Sequence, residues 1–156
     1  MNAGTWKVGL LALIAFAAQG SVQALNAQDD DPPPASAYRT ALMQSMRHHV
    51  GALRALVGGD VPYEGHVAHH AEAVAGIAAM AGDAFPEGTG GEGTRASTDI
   101  WDNWDDFLTQ YSALRTAADA LSAGAQAGDM SAVEAALSDV GSTCRGCHQP
   151  YRLPAN

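Results

Sequence analysis

The sequence predicts an all-α protein built as an antiparallel four-helix bundle. Three observations carry that expectation. Four segments of similar length repeat their apolar residues at helical spacing. Two short connections and one long one join them, which suits antiparallel neighbours. No convincing strand pattern occurs anywhere in the 156 residues.

The first stretch is set apart from the fold. Lys7 precedes the apolar run Val8-Gly9-Leu10-Leu11-Ala12-Leu13-Ile14-Ala15-Phe16-Ala17-Ala18, and Val22-Gln23-Ala24 fits a small-x-small cleavage site, with Ala27 as a second. Residues 1–24 therefore read as a secretory signal peptide, cleaved after Ala24 or Ala27. The run is too short and wrongly flanked for a retained membrane span. Residues 25–35 include Gln28-Asp29-Asp30-Asp31-Pro32-Pro33-Pro34 and read as a disordered or polyproline-like leader. The bundle is assigned to residues 36–156.

Each helix follows from its own residues. The first is expected from Ser36, as N-cap, to Val57, with Tyr38, Leu42, Met46, His49, Leu53 and Leu56 in phase. Gly58-Gly59-Asp60-Val61-Pro62 turns the chain. The second runs from about Tyr63 to Ala81, with Val67, His70, Val74, Ile77 and Ala81 on one side. Phe85 to Thr98 is a long connection crowded with Gly88, Gly90, Gly91 and Gly93, unsuited to a buried strand and long enough to cross the end of a bundle. The third helix starts at Thr98 or Asp99 and carries Ile100, Trp104, Phe107, Tyr111, Leu114, Ala118 and Leu121 until the run Gly124 to Gly128 stops it. Asp129 or Ser131 caps the fourth, where Ser131-Ala132-Val133-Glu134 has the form of a capping box. Val133, Leu137, Val140, Cys144, Cys147 and His148 then share a side.

Charge narrows the partners. The formal net charge is −9, from 8 basic and 17 acidic residues. Loss of Lys7 with a leader takes the basic count to 7 and the net charge near −10, with no lysine left. That excludes nucleic acid and anionic lipid as expected partners, since both need cationic contacts. A redox partner with a basic face suits such a surface, which also confers solubility.

The chemistry lies near the C-terminus. Cys144-Arg145-Gly146-Cys147-His148 reads C-x-x-C-H, the attachment signature of a c-type haem, and holds both of the chain's cysteines. On a helix, Cys147 lies roughly 60° to one side of Cys144 and His148 roughly 40° to the other. All three face one flat partner, each thiol able to add across a vinyl group and the imidazole able to bind iron. Other readings of the spacing are a thioredoxin-like redox pair, half a zinc site or a disulfide. The first lacks a strand–helix alternation, the second a further ligand pair, and the third is strained at this spacing in a helix. Haem c, one per chain, is the cofactor these residues favour. Export agrees with it, because bacterial c-type haem is attached outside the cytoplasm.

The other side of the iron decides function. Arg39, Met43, Met46 and Val50 form a stripe beside the bundle seam. A methionine ligand makes a six-coordinate iron suited to electron transfer, whereas an apolar cap leaves it five-coordinate and open to small gases. Met46 reads as a core filler, and Met43 as either an iron ligand or a second core filler. Arg39 is a candidate for a haem propionate, with a surface ion pair as its other reading. Arg152, four residues after His148, is placed to reach the same edge or to stand in solvent. His66, His69 and His70 cluster, and His66 with His70 has metal-binding spacing, yet no carboxylate–histidine constellation completes a site and a surface or core role is favoured. His48 and His49 are further candidate haem ligands, less attractive than Met43 because of their phase relative to Arg39. No distal acid–base group stands out, so an enzyme is not expected.

From Tyr38 to Arg152 the chain resembles the cytochrome c′ family, including its low-spin cytochrome c-556 type. Tyr38-Arg39-Thr40-Ala41-Leu42-Met43-Gln44-Ser45-Met46 carries the resemblance, with Phe85-Pro86-Glu87-Gly88-Thr89, Arg95 and Ile100-Trp101. Val140-Gly141-Ser142-Thr143-Cys144-Arg145-Gly146-Cys147-His148 with Tyr151-Arg152 is its most specific part. The resemblance implies a periplasmic four-helix bundle with covalently attached haem c, often a homodimer, with no membrane span after cleavage. Cys144 and Cys147 would carry the thioethers and His148 the proximal bond. Arg39 would lie near a propionate, Thr94 near the haem edge, and Met43 on the distal side. Pro150 departs from the family, where the helix usually continues, and is expected to bend the last turn and displace Arg152.

Overall fold

A computed structural model describes residues 32–154. The signal segment and residues 25–31 of the leader lie outside the described residues. Four long helices form the molecule: α1 (Pro34–Val57), α2 (Val67–Met80), α3 (Trp104–Gln126) and α4 (Met130–Tyr151). α1 packs on α2 and α4, and α3 packs on the same two, closing the expected all-α four-helix bundle. None of the described helices is long and apolar enough to cross a membrane.

α1 begins two residues before Ser36. Pro33 is the N-cap and makes no side-chain cap, while Pro34 opens the helix and Ser36 is buried within the first turn. A proline at the first position loses a donor that has no helical partner anyway, and its fixed φ favours the turn, so a hydroxyl cap is dispensable. The helix stops where Gly59 takes φ 74°. Gly59 N–H then reaches Leu56 O at 3.2 Å and Asp60 N–H reaches Ala55 O at 2.9 Å. That pair of bonds is a Schellman motif. Gly128 (φ 68°) ends α3 in the same way, with bonds to Ala125 O and, from Asp129, to Gly124 O. Gly124 is thus inside α3, not its terminator. It is buried, and a Cβ there would stand 3.1 Å from the Ala132 Cβ of α4. It is the close-approach point of α3 and α4.

The second helix is shorter at both ends than its pattern implies. Glu64–His66 and Ala81–Ala84 are single 3₁₀ turns flanking α2. The third is broken near its start. Asp99–Asp102 makes one turn, and Asn103 (φ −125°, ψ 44°) interrupts before α3. The Asn103 side chain donates to Asp99 O at 3.0 Å, so this residue closes the turn itself. Asp129 alone caps α4, accepting Ala132 N–H at 3.0 Å.

Pro150 does not end α4. The helix continues to Tyr151, and only Arg152 turns extended (φ −113°, ψ 118°). With a single turn left, the missing donor costs little, and Arg152 N–H still reaches His148 O at 3.2 Å. Arg152 then pairs with Ala96 of the long connection. Ser97 N–H donates to Tyr151 O at 2.9 Å and Leu153 N–H to Arg95 O at 2.9 Å. The connection forms no strand, and it is tied across the C-terminal end of α4.

Two apolar clusters fill the interior. The main one includes Leu42, Met46, Leu53, Val74, Leu121, Val133 and Val140, with many alanines. A smaller one joins Ala96, Ile100, Phe107 and Tyr151, with Phe85 and Trp101 partly buried against it. Phe107 is T-shaped to Phe85 (4.8 Å) and to Tyr151 (5.6 Å). Three residues expected on these shared sides face water instead: Tyr38 is 53% and Trp104 37% exposed, and His148 is exposed near the C-terminal end of α4.

Candidate functional site

The two cysteines sit where the clusters meet. Cys144 packs against the main core and Cys147 against the smaller one, both half-buried on α4 and both free thiols. Burial raises the Cys144 pKa, partly offset by Arg54 and Arg145. Burial, then Cys144 and Asp106, push Cys147 up to about 11. Both are therefore neutral thiols at pH 7, the form that adds as S–H across a double bond. Partial desolvation of the His148 ring, with Arg152 and Arg95 nearby, lowers its pKa. Its imidazole is neutral, with a nitrogen lone pair available to a metal.

A cleft of about 350 Å³ lies along this end of α4. Cys144, His148, Leu153 and the cations Arg95, Arg145 and Arg152 line it. Two thiols and a neutral imidazole on one helix, beside three arginines, fit the donor set of a haem with its two propionates. Arg152 reaches this cleft despite leaving the helix.

Arg39 is elsewhere engaged. It is 5% exposed. Its Nη1 donates to Ala84 O and to Thr89 Oγ1, both at 3.1 Å, and its Nη2 donates to Thr89 O at 2.7 Å. Its guanidinium also lies 4.9 Å from the centre of the Phe85 ring. It is neither a surface ion pair nor a lining residue of the cleft. It clamps the start of the long connection onto α1. Three charge-assisted bonds of which two end on backbone carbonyls make this a costly residue to remove. Arg39→Ala is expected to destabilise the chain by about 2–4 kcal/mol in urea unfolding, and Arg39→Lys by nearly as much, since an ammonium cannot span the three acceptors. A loss under 0.5 kcal/mol, within the range of an ordinary surface substitution, would refute the clamp.

Thr94 is turned into its own loop. Its hydroxyl donates to Gly91 O at 3.1 Å and accepts Ala96 N–H at 3.2 Å. Its neighbour Arg95 lines the cleft and also donates from Nε and Nη2 to Leu153 O. The resemblance places Thr94 near the haem edge; in the structure its hydroxyl bonds within its own loop, and Arg95 beside it lines the cleft.

Met43 is half-buried and packs against the same core cluster as Cys144. The other donors on α1 are committed. Met46 is 4% exposed within the core. His48 Nε2 accepts from Arg47 Nη2 at 3.1 Å, and His49 meets His70 of α2 with Nδ1 atoms 2.9 Å apart. His66, in the turn before α2, and His70 have metal-binding spacing. The structure pairs His70 across to α1 instead, and among the described residues no group of three or more His, Cys, Asp or Glu is arranged to hold a metal.

A contact absent from the sequence reading is Tyr151 Oη, which donates to Asp106 Oδ2 at 2.6 Å. That bond, then burial, raise the Tyr151 pKa from 10 to about 12. A raised folded pKa contributes stability that is full below pH 10 and fades as pH climbs through about 12. Tyr151→Phe is expected to cost about 1–2 kcal/mol at pH 7. In urea titrations the gap between variant and wild type should shrink above pH 10. A gap constant to pH 11.5 would contradict it.

Residues 35–152 match the family model described as Cytochrome C'. The chain is 39% identical over 116 residues to a cytochrome c' of Pararhodospirillum photometricum, covering 74% of this chain and 93% of that one. It is 35% identical over 116 residues, with the same coverage, to a cytochrome c-556 of Agrobacterium tumefaciens (strain II Chrys). Its fold superposes at a TM-score of 0.71 on the nitric oxide complex of a mutant of cytochrome c prime from Alcaligenes xylosoxidans, at 32% identity over 77% of this chain and 94% of that chain. A four-helix bundle, a terminal C-x-x-C-H and these likenesses meet in one conclusion: the chain belongs to the cytochrome c′ family, whose members bind haem c.

Proposed function

We propose that this chain is an exported, periplasmic one-electron carrier, with haem c held by Cys144 and Cys147, His148 as one axial ligand and Met43 as the other. One observation carries the choice of Met43. Among the sulfur and imidazole donors of α1, it alone is neither sealed in the core nor bound to a neighbour nor turned wholly to solvent. Haem supplies the one-electron couple; the chain supplies the rest. Cys144 and Cys147 would tie the group to α4, the neutral His148 imidazole would offer a lone pair without losing a proton, and the half-buried Met43 of α1 would offer a thioether. The apolar clusters beside the two cysteines would limit water around the group and favour a small reorganisation on electron transfer. Arg95, Arg145 and Arg152 offer counter-charge at the propionate edge. The acidic surface suits a redox partner with a basic face, and a second copy of the chain is the expected homodimer. Nothing in this reading calls on catalysis.

A gas-binding reading stands beside it, because one of the similar solved structures is a nitric oxide complex. There Met43 would only cover the iron. Optical spectra of purified holoprotein separate the two. The carrier reading expects a sulfur-to-iron charge-transfer band in the ferric form and no carbon monoxide shift in the ferrous form. A high-spin spectrum that responds readily to carbon monoxide would overturn it in favour of gas binding.

A further inference from the structure

We propose that His49 and His70 form a second metal site, separate from the haem, that takes one copper(II)-class ion and bridges α1 to α2. Five of the chain's six histidines, His48, His49, His66, His69 and His70, fall on these two helices or the turn before the second. Only His49 and His70 meet across the helix pair. Their Nδ1 atoms stand 2.9 Å apart, their rings 5.1 Å between centroids and tilted by 56°.

That separation has a chemical meaning. Metal–imidazole bonds of about 2.0–2.1 Å at a right angle put two nitrogens about 2.9 Å apart, and a tetrahedral angle about 3.3 Å. The pair therefore matches neighbouring positions of a square-planar or tetragonal site, the geometry of copper(II) and nickel(II), and copper(II) leads the divalent series in affinity. The backbones beneath are held by core residues on either side, Met46 and Val50 on α1 and Ala71 and Val74 on α2. Both residues are half-buried, so solvent water would be able to complete the coordination of a bound ion. Without metal one Nδ1 donates to the other. On binding, the donating ring moves that proton through solvent to its own Nε2, and both rings tilt so that their Nδ1 lone pairs converge on the ion. No net proton is lost and no redox step is needed.

The test is copper(II) titration of ferric holoprotein by calorimetry, with electron paramagnetic resonance of the copper signal. One equivalent is expected, with superhyperfine splitting from two nitrogens and a rise in unfolding temperature. His49→Gln and His70→Gln, placed on different helices, should each weaken binding at least tenfold and abolish the temperature rise, while His69→Gln changes affinity less than threefold. The haem absorbance of each variant reports that the bundle is intact. Wild-type affinity in both Gln variants, or splitting from one nitrogen only, would overturn the site.

Discussion

The double replacement Cys144→Ser with Cys147→Ser is expected to yield a chain with the mass of the bare polypeptide and a bundle that unfolds roughly 15 °C below wild type. The mass follows from chemistry: a hydroxyl does not take the place of a thiol in addition to a vinyl group, so nothing ties the cofactor to α4. The stability loss follows from the core. Among the described residues, eight of the buried apolar side chains are alanines, including Ala71, Ala78, Ala81, Ala117, Ala118 and Ala136. Each contributes little apolar area, and a large planar group set between the clusters at Cys144 and Cys147 contributes much of what they lack. A ligand that can leave stabilises only by mass action, and dilution withdraws it; about 4 kcal/mol is at stake at a thousandfold excess over Kd. For a chain of this length that loss moves the midpoint by the stated amount. The single variants keep one sulfur and should retain the added mass and an intermediate midpoint. Equal midpoints for wild type and the double variant would show that the cofactor carries none of the fold's stability.

The sequence made legible what is local. Helical periodicity marks four long segments, and Gly59 and Gly128 show as stops because a left-handed residue is needed there. C-x-x-C-H is contiguous, so its chemistry needs no tertiary fold to be read. Boundaries misread the competition between neighbouring signals. Ser36 is a good cap, but Pro34 already supplies a pre-organised first turn, and Asn103 closes a turn inside what its aromatic neighbours mark as one helix. Gly124 reads as a terminator in the sequence because glycine both ends helices and lets them approach, and periodicity does not distinguish the two. Pairings distant in sequence were not legible at all. Arg39 finds its acceptors 45 and 50 residues away, and Tyr151 reaches Asp106 across 45. His49 meets His70 only because α1 and α2 pack with those faces together. Each of these side chains carries a polar group that burial obliges to find a partner, and the fold chooses which.

Met43→Ala should convert a low-spin ferric spectrum to a high-spin one and raise the apparent carbon monoxide affinity of the ferrous form about 100-fold. The magnitude comes from competition. If the thioether occupies iron all but about 1% of the time, an exogenous ligand sees only that fraction of competent sites, and removing the sulfur removes the penalty. Alanine leaves a gap but no replacement donor: Met46 is sealed in the core and His49 is held by His70. Because Met43 is only half-buried, its loss should cost less than about 2 kcal/mol of stability, below the range for a fully buried side chain. Met46→Ala supplies the opposite pattern. At 4% exposure it should cost about 2–4 kcal/mol and leave spin state and carbon monoxide affinity alone. Stopped-flow mixing with carbon monoxide and urea unfolding of the two variants measure both quantities. If Met43→Ala leaves the spectrum and the carbon monoxide response as they are in wild type, the sulfur never bound iron. The half-buried thioether then serves only to restrict the distal space, and the family likeness to a nitric oxide complex becomes the guide to function.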